Sequence, residues 1–149
     1  MKYSELERLL KKNDKNMKVK VIIEQNSKGR YSAFIDDDRI TFGILGEGKT
    51  VDETIEDFKI GYQEMKETYQ SVGKEIPELE FEFKYDTASF LSAYSKVLSL
   101  AGLSRLTGLN QGQLSHYVTG RKRPTRQTVE KIRESVHAFG RNLCQVDFV

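Results

Sequence analysis

One cysteine, two histidines and no long apolar run are the scarcities that first narrow this 149-residue chain. Cys144 alone can form no internal disulfide, so a reducing cytoplasm is the expected setting and the fold must rest on packing. Nothing approaches the roughly 20 consecutive apolar residues of a membrane span, and the first residues lack the apolar core of a secretion signal. No membrane is therefore expected among the partners. His116 and His137 have no cysteine or carboxylate arranged about them at ligand or triad spacing, which excludes the usual metal and nucleophilic sites. Gly46-Glu47-Gly48 lacks the further glycine and lysine of a phosphate loop. The expectation is a protein without cofactor, metal or catalytic residues.

What is present divides the chain. Residues 1 to 86 carry 15 Lys/Arg against 19 Asp/Glu, a net of −4, and residues 87 to 149 carry 9 against 3, a net of +6. An acidic half beside a basic half points to two partners of opposite charge, with nucleic acid the natural partner of the second. Three segments follow: an N-terminal helical appendage over 1 to 16, a first domain over 17 to 86 and a second over 87 to 149. The fold class is α+β. At this length each small domain buries only a modest core, so partner contact or oligomerisation would help.

In the appendage, Ser4 and Glu7 have capping-box spacing ahead of Leu6, Leu9 and Leu10, which predicts a short helix. From Met17 the period becomes two. Met17, Val19, Val21 and Ile23 predict a half-buried strand, Asn26-Ser27-Lys28-Gly29 a hairpin turn, and Tyr31, Ala33 and Ile35 a second strand. Asp36-Asp37-Asp38 reads as the next turn and Ile40, Phe42 and Ile44 as a third strand ending in the loop Gly46-Glu47-Gly48, an antiparallel meander. Thr50 and Glu53 open a helix whose stripe is Val51, Ile55, Phe58, Tyr62, Met65, Tyr69 and Val72, with Gly73 its end. Leu79, Phe81, Phe83 and Tyr85 then alternate in a fourth strand, giving β-β-β-α-β. One helix covers one sheet face, which leaves the other face or an edge strand for a partner. Asp36, Asp37 and Asp38 are the only cluster that could hold a metal or meet a basic partner. Adjacent carboxylates at a hairpin tip diverge, so a solvated turn or a partner contact is the reading, not a metal site.

After a capping Asp86, Ala88 to Leu98 predicts the first helix of the second domain, with Phe90, Leu91, Tyr94, Val97 and Leu98 on its core face. The segment Ser99 to Pro124, SLAGLSRLTGLNQGQLSHYVTGRKRP, then places two short helical patterns on either side of a turn. Leu100, Leu103 and Leu106 or Thr107 recur at helical spacing, Ser104 allows a close crossing, Gly108 ends the helix and Asn110 caps the next. That is the geometry of a helix-turn-helix. Its second helix carries Gln111, Gln113, Ser115 and His116 outward as base-reading side chains, with Leu114 and Val118 inward, until Gly120. Arg121, Lys122 and Arg123, with Arg126 beyond, supply cations for phosphates. Thr125 or Thr128 starts a closing helix bearing Val129, Ile132, Val136, Phe139 and Leu143, and the apolar end Phe148-Val149 can dock on a neighbour.

The acidic β-β-β-α-β domain followed by GLNQGQLSHYVTGRKRP and KIRESVHAFGRNL resembles a HicB-family antitoxin with a C-terminal helix-turn-helix, over about residues 17 to 149. The block from Leu109 to Pro124 and the later His137-Ala138-Phe139-Gly140 carry most of the likeness. The resemblance implies that the first domain is a partial RNase H-like fold that binds and silences a small HicA-type mRNA-cleaving toxin. It also implies that the second binds the operator of its own operon as a homodimer or tetramer, with Gln111, Gln113, Ser115 and His116 facing bases and Arg121, Lys122 and Arg123 facing phosphates. Asp36, Asp37 and Asp38 are the candidate toxin contact. Two departures stand out. YSAFIDDDRIT lacks the Pro-Gly turn common in the family, and the opening SELERLLKKND resembles the first helix of the toxin itself but is followed by no Gly-Ser-His segment.

Two other classes remain in play. A stand-alone transcriptional regulator would use the first domain to sense a ligand or to dimerise. An RNA-processing enzyme would need a metal-binding carboxylate set that the sequence does not supply.

Overall fold

Alternating burial builds the first sheet. In the computed structural model, which describes residues 16–149, strand β1 (Met17–Gln25) buries Val19, Val21 and Ile23 completely on one face. The chain reverses at Asn26, whose side-chain Oδ1 accepts from the backbone N–H of Lys28 (2.9 Å) and Arg30 (3.0 Å), while Gly29 takes φ +76°. Asparagine supplies the acceptor and glycine the left-handed backbone, so the hairpin closes with the N–H groups of Asn26, Lys28, Gly29 and Arg30 all bonded. Strand β2 (Tyr31–Ile35) returns antiparallel, with Ile23 opposite Ala33. The predicted appendage helix lies outside the described residues.

The third strand is not where alternation puts it. Strand β3 is Leu45–Gly48, so the glycine pair read as a loop forms the strand, and Ile40, Phe42 and Ile44 lie in the connection before it. Those side chains still enter the core: Ile44 is buried, and Phe42 meets Tyr69 at 6.4 Å between ring centroids. Their alternation reports burial rather than strand pairing. In β3 the inward positions are Gly46 and Gly48, and helix α1 (Val51–Ser71) passes so close that a Cβ at Gly46 would stand 2.5 Å from the Thr54 carbonyl oxygen. A strand whose inner face is bare backbone has no hydrophobic signature.

Helix α1 starts on the expected cap, Thr50 accepting from the Glu53 N–H at 3.1 Å, while the Glu53 carboxylate accepts from the Lys49 N–H at 2.8 Å. Phe58 and Tyr62 are buried and Val51, Ile55 and Met65 pack beside them; Val72, placed on the same stripe by spacing, is exposed beyond the helix end. Thr54, absent from the apolar reading, is fully buried, its hydroxyl donating to the Thr50 carbonyl (2.7 Å). The chain leaves α1 at Gly73, φ +73°.

Strand β4 (Leu79–Tyr85) pairs parallel to β1, Val21 opposite Phe83, and completes a mixed sheet of order β3-β2-β1-β4. Three edge-on aromatic contacts lock it to α1: Phe58 to Phe81 at 4.9 Å, Phe58 to Phe83 at 5.6 Å and Tyr62 to Phe81 at 4.9 Å. The Tyr62 hydroxyl donates to the Pro77 carbonyl (2.9 Å) and accepts from the Leu79 N–H (3.0 Å), and burial raises its pKa.

A second compact unit begins at Thr87. Its helices are α2 (Thr87–Tyr94), α3 (Leu100–Thr107), α4 (Gln111–Val118) and α5 (Arg126–Cys144). Helix α2 is shorter than the apolar pattern predicts. It unwinds at Tyr94, whose carbonyl accepts from the Val97 and Leu98 N–H groups; Val97 turns outward at 79% exposure and only Leu98 returns to the core. The reason lies in the polar pair Ser95-Lys96 and in Ser99, which caps α3 by accepting from the Gly102 N–H at 3.0 Å. Leu91, Leu103, Leu114, Tyr117 and Ile132 form the buried centre. The fold is α+β, with one four-stranded mixed sheet and five helices among the described residues.

Candidate nucleic-acid interface

The turn from α3 to α4 is held by hydrogen bonds between residues two to five positions apart. Gly108 takes φ +71° and donates to the Ser104 carbonyl (2.8 Å). Ser104 Oγ donates to the Leu109 carbonyl (2.6 Å), the Leu109 N–H donates to Thr107 Oγ1 (3.2 Å), and Asn110 Oδ1 accepts from the Gly112 N–H (2.7 Å). Ser104 thus serves as a hydrogen-bonding clasp as well as a small residue. Leu103 and Leu114, both fully buried, anchor the two helices on the common core.

With Leu114 and Tyr117 inward, α4 exposes Gln111, while Ser115 and His116 are half-buried. Gln113 is different. Its Nε2 donates to the Tyr117 hydroxyl (2.7 Å), so this side chain lies against the helix rather than pointing outward with the other three. Tyr117 itself, 5% exposed, joins Leu114 and the half-buried Val118 on the core side; spacing does not single it out because tyrosine tolerates either side of a helix.

The basic turn folds back on α4. Thr119 Oγ1 donates to the Ser115 carbonyl (3.0 Å), Gly120 takes φ +74°, and the Lys122 N–H donates to the His116 carbonyl (3.2 Å). This bond joins the basic run to the residue it was expected to accompany. Arg121, Lys122 and Arg123 are all exposed, and none has an ion-pair partner among the described residues. Arg126 stands apart from them in the first turn of α5, where its charge helps the Arg133 guanidinium hold the Glu130 carboxyl below its ordinary pKa. Thr125 caps that helix by accepting from the Thr128 N–H (3.2 Å).

A further signal in the sequence goes beyond the basic turn: between Asp86 and Glu130 there is no Asp or Glu, while Lys96, Arg105, Arg121, Lys122, Arg123 and Arg126 fall within that interval. An uninterrupted positive stretch around α3 and α4 adds exposed Arg105 to the candidate phosphate contacts.

The acidic turn of the first unit is largely neutralised from within. Asp36 pairs with Lys20 at 2.5 Å. Asp37 receives Arg39 through two bonds, Nε to Oδ1 (2.8 Å) and Nη2 to Oδ2 (2.6 Å), and Arg39 also donates to the Lys18 carbonyl (2.7 Å). Asp37 and Arg39 therefore brace the turn against β1. The Arg39 guanidinium holds the Asp37 carboxyl below its ordinary value of 3.8. The contribution of this pair to stability is complete above that value and is lost as pH falls through the lower, folded pKa. Asp37→Asn is expected to cost about 1 kcal/mol at pH 7, since Arg39 is half-exposed, and to abolish that part of the acid sensitivity; equal losses in variant and parent between pH 7 and pH 3 would contradict the assignment. Among the described residues no three His, Cys, Asp or Glu side chains converge on a point where a metal ion could sit, and no helix is long and apolar enough to cross a membrane.

No family model matches the chain, and no curated protein or solved structure matches it either.

Proposed function

We propose that the chain is a non-enzymatic antitoxin that represses its own operon. Helices α3 and α4 act as a helix-turn-helix on operator DNA, and the β-β-β-α-β unit, read as a partial RNase H-like domain, holds a HicA-type mRNA-cleaving toxin. The observation that carries the DNA half is the return of the basic turn onto the end of α4, the Lys122 N–H bonded to the His116 carbonyl, in a stretch devoid of carboxylates. A helix with a polar, charge-neutral exposed face bordered by cations suits a major groove flanked by phosphates. The toxin half is supported by the element order and by the net −4 of residues 1 to 86, which suits a basic RNA-binding surface.

Within this reading Gln111, Ser115 and His116 face base edges, Gln113 positions the helix through Tyr117, and Arg121, Lys122, Arg123 and Arg126 meet phosphates. Alanine at Gln111 and His116 is expected to reduce operator preference by about 1–3 kcal/mol for each base that the side chain reads. Equal losses on operator and random DNA would remove them from base reading. Asp38 is the member of the acidic turn left to a toxin contact, with Asp36 and Asp37 bound to Lys20 and Arg39.

Growth tests the whole reading. Cells expressing the small reading frame beside this gene should be arrested, and this chain supplied from a second promoter should rescue them, but not after deletion of residues 17 to 86. A harmless neighbour, or toxicity that the chain does not relieve, would leave a stand-alone regulator whose first unit senses a ligand or dimerises.

A further inference from the structure

The side of the first sheet that faces away from α1 carries an apolar row across three strands. Leu45 of β3 stands opposite Phe34 of β2, and Phe34 opposite Ile22 of β1. None of the three is among the side chains packed in the core beneath α1, and Leu45 is 59% exposed. Charge borders the row on both flanks. Glu47, Ser32 and Glu24 make the next register line on one flank, and Lys20 opposite Glu82 makes the line on the other. Contiguous apolar side chains rimmed by polar ones mark a surface that another element covers.

The first 15 residues have the chemistry and the reach of that element. Leu6, Leu9 and Leu10 fall on one helix face behind the Ser4 and Glu7 capping box. Residues 1 to 15 hold five cations against three carboxylates, whereas residues 16 to 86 hold ten against sixteen, so a positive segment adjoins a negative unit. Ile22 lies five residues along β1 from Met17, which is about 17 Å at the rise of a strand. Turned back over the sheet, the wholly polar run from Lys11 to Asn16 spans about 20 Å when extended and so delivers Leu10 to the row. Size agrees as well. A helix over residues 4 to 10 is about 10 Å long, and the row, two strand spacings wide, is also about 10 Å. Because the segment is tethered, its effective concentration at the sheet is in the millimolar range, and it is spared the entropy that a separate partner loses on association.

We infer that residues 4 to 10 dock as a helix on the side of the sheet opposite α1, with Leu6, Leu9 and Leu10 over Ile22, Phe34 and Leu45. The first unit is then a sheet covered on both faces, the second cover being the part of the chain that leads into β1.

Thiol labelling of the full chain tests this without DNA or toxin, so its outcome is independent of the proposed function. Cys144→Ser removes the exposed native thiol, and Leu45→Cys introduces a single one on the row. Its reaction with iodoacetamide is expected to accelerate about tenfold when Leu9→Asp and Leu10→Asp are added, as for a cover that is closed about 90% of the time. Ile60→Cys, at a position 50% exposed on α1, should react at one rate with and without the two aspartates, which also checks that the unit stays folded. Reaction at Leu45→Cys as fast as at Ile60→Cys in both backgrounds leaves the row open to water and overturns the inference. Slow reaction in both overturns it as well, since something other than the leucines then covers the row: a second copy if the rate rises on dilution, another part of the same chain if it does not.

Discussion

Replacing Arg121, Lys122 and Arg123 together by alanine is expected to weaken DNA binding on the order of 100-fold at about 0.15 M salt. Each phosphate contact contributes about 0.9 to the slope of log affinity against log salt, which at that concentration is roughly fivefold in affinity. Three contacts therefore compound to about two decades, and the slope itself flattens by about 2 to 3. The loss should be the same on operator and on random sequence, because phosphates carry no base identity. All three side chains are exposed and without ion-pair partners among the described residues, so the unit's melting should not move with them. The arrangement of the turn rests on the backbone, on Gly120 and on the Lys122 N–H bond to His116, which alanine preserves. Fluorescence anisotropy titrations at several salt concentrations read both quantities. A loss under about fivefold with an unchanged slope would take this turn out of the interface, and with it the observation on which the DNA reading rests.

Gly46→Ala should be the most damaging single methyl group that can be added to the sheet. A Cβ at that position would lie 2.5 Å from the Thr54 carbonyl oxygen, 2.6 Å from Phe58 Cβ and 2.7 Å from the Phe58 backbone nitrogen. Two of these atoms belong to the backbone of α1, so no side-chain rotation relieves the clash; the helix itself must lift from β3. Lifting it loosens Phe58 from Phe81 and Phe83, and overpacking of this kind costs about 3 kcal/mol. For a unit of this size that lowers the melting temperature by roughly 12 to 24 °C. Gly43→Ala is the control, because a Cβ there meets nothing within 4 Å and its backbone is not among the positive-φ glycines. Its effect should stay within about 0.5 kcal/mol. Calorimetry on the two variants of the full chain compares them directly, and equal melting temperatures would refute the close helix–strand approach.

Several features were legible from residue type alone because local chemistry dictates them. Thr50 and Asn110 read as caps and Thr125 or Thr128 as the start of the last helix, since each offers a side-chain acceptor at the head of a helical run; Thr50, Asn110 and Thr125 each accept a bond from a backbone N–H in the first turn, as does Ser99, which the sequence reading passed over. Gly73, Gly108 and Gly120 read as stops, and all three take positive φ. The alternation in β1 and β4 and the stripe through Phe58 and Tyr62 sort inner from outer residues, as the burial of Val19, Val21, Ile23 and Phe58 shows.

Where local pattern misled, the deciding partner lay elsewhere in the fold. Gly46 and Gly48 form β3 because α1 needs their bare backbone, and no local pattern records that need. Asp37 looks like part of a free acidic tip until Arg39 folds onto it and reaches the Lys18 carbonyl 21 positions earlier. Gln113 looks outward until Tyr117 takes its amide.

By itself, then, the sequence determined the caps and stops, the inner faces of β1, β4 and α1, and the segregation of charge between the two halves, because each depends on neighbours a few residues away or on composition. Only the tertiary structure decided that β4 runs parallel beside β1, that the glycine pair is a strand, and which carboxylates are neutralised. Those depend on which surfaces meet, and hydrophobic burial is non-directional: it requires that apolar faces be covered without saying by what.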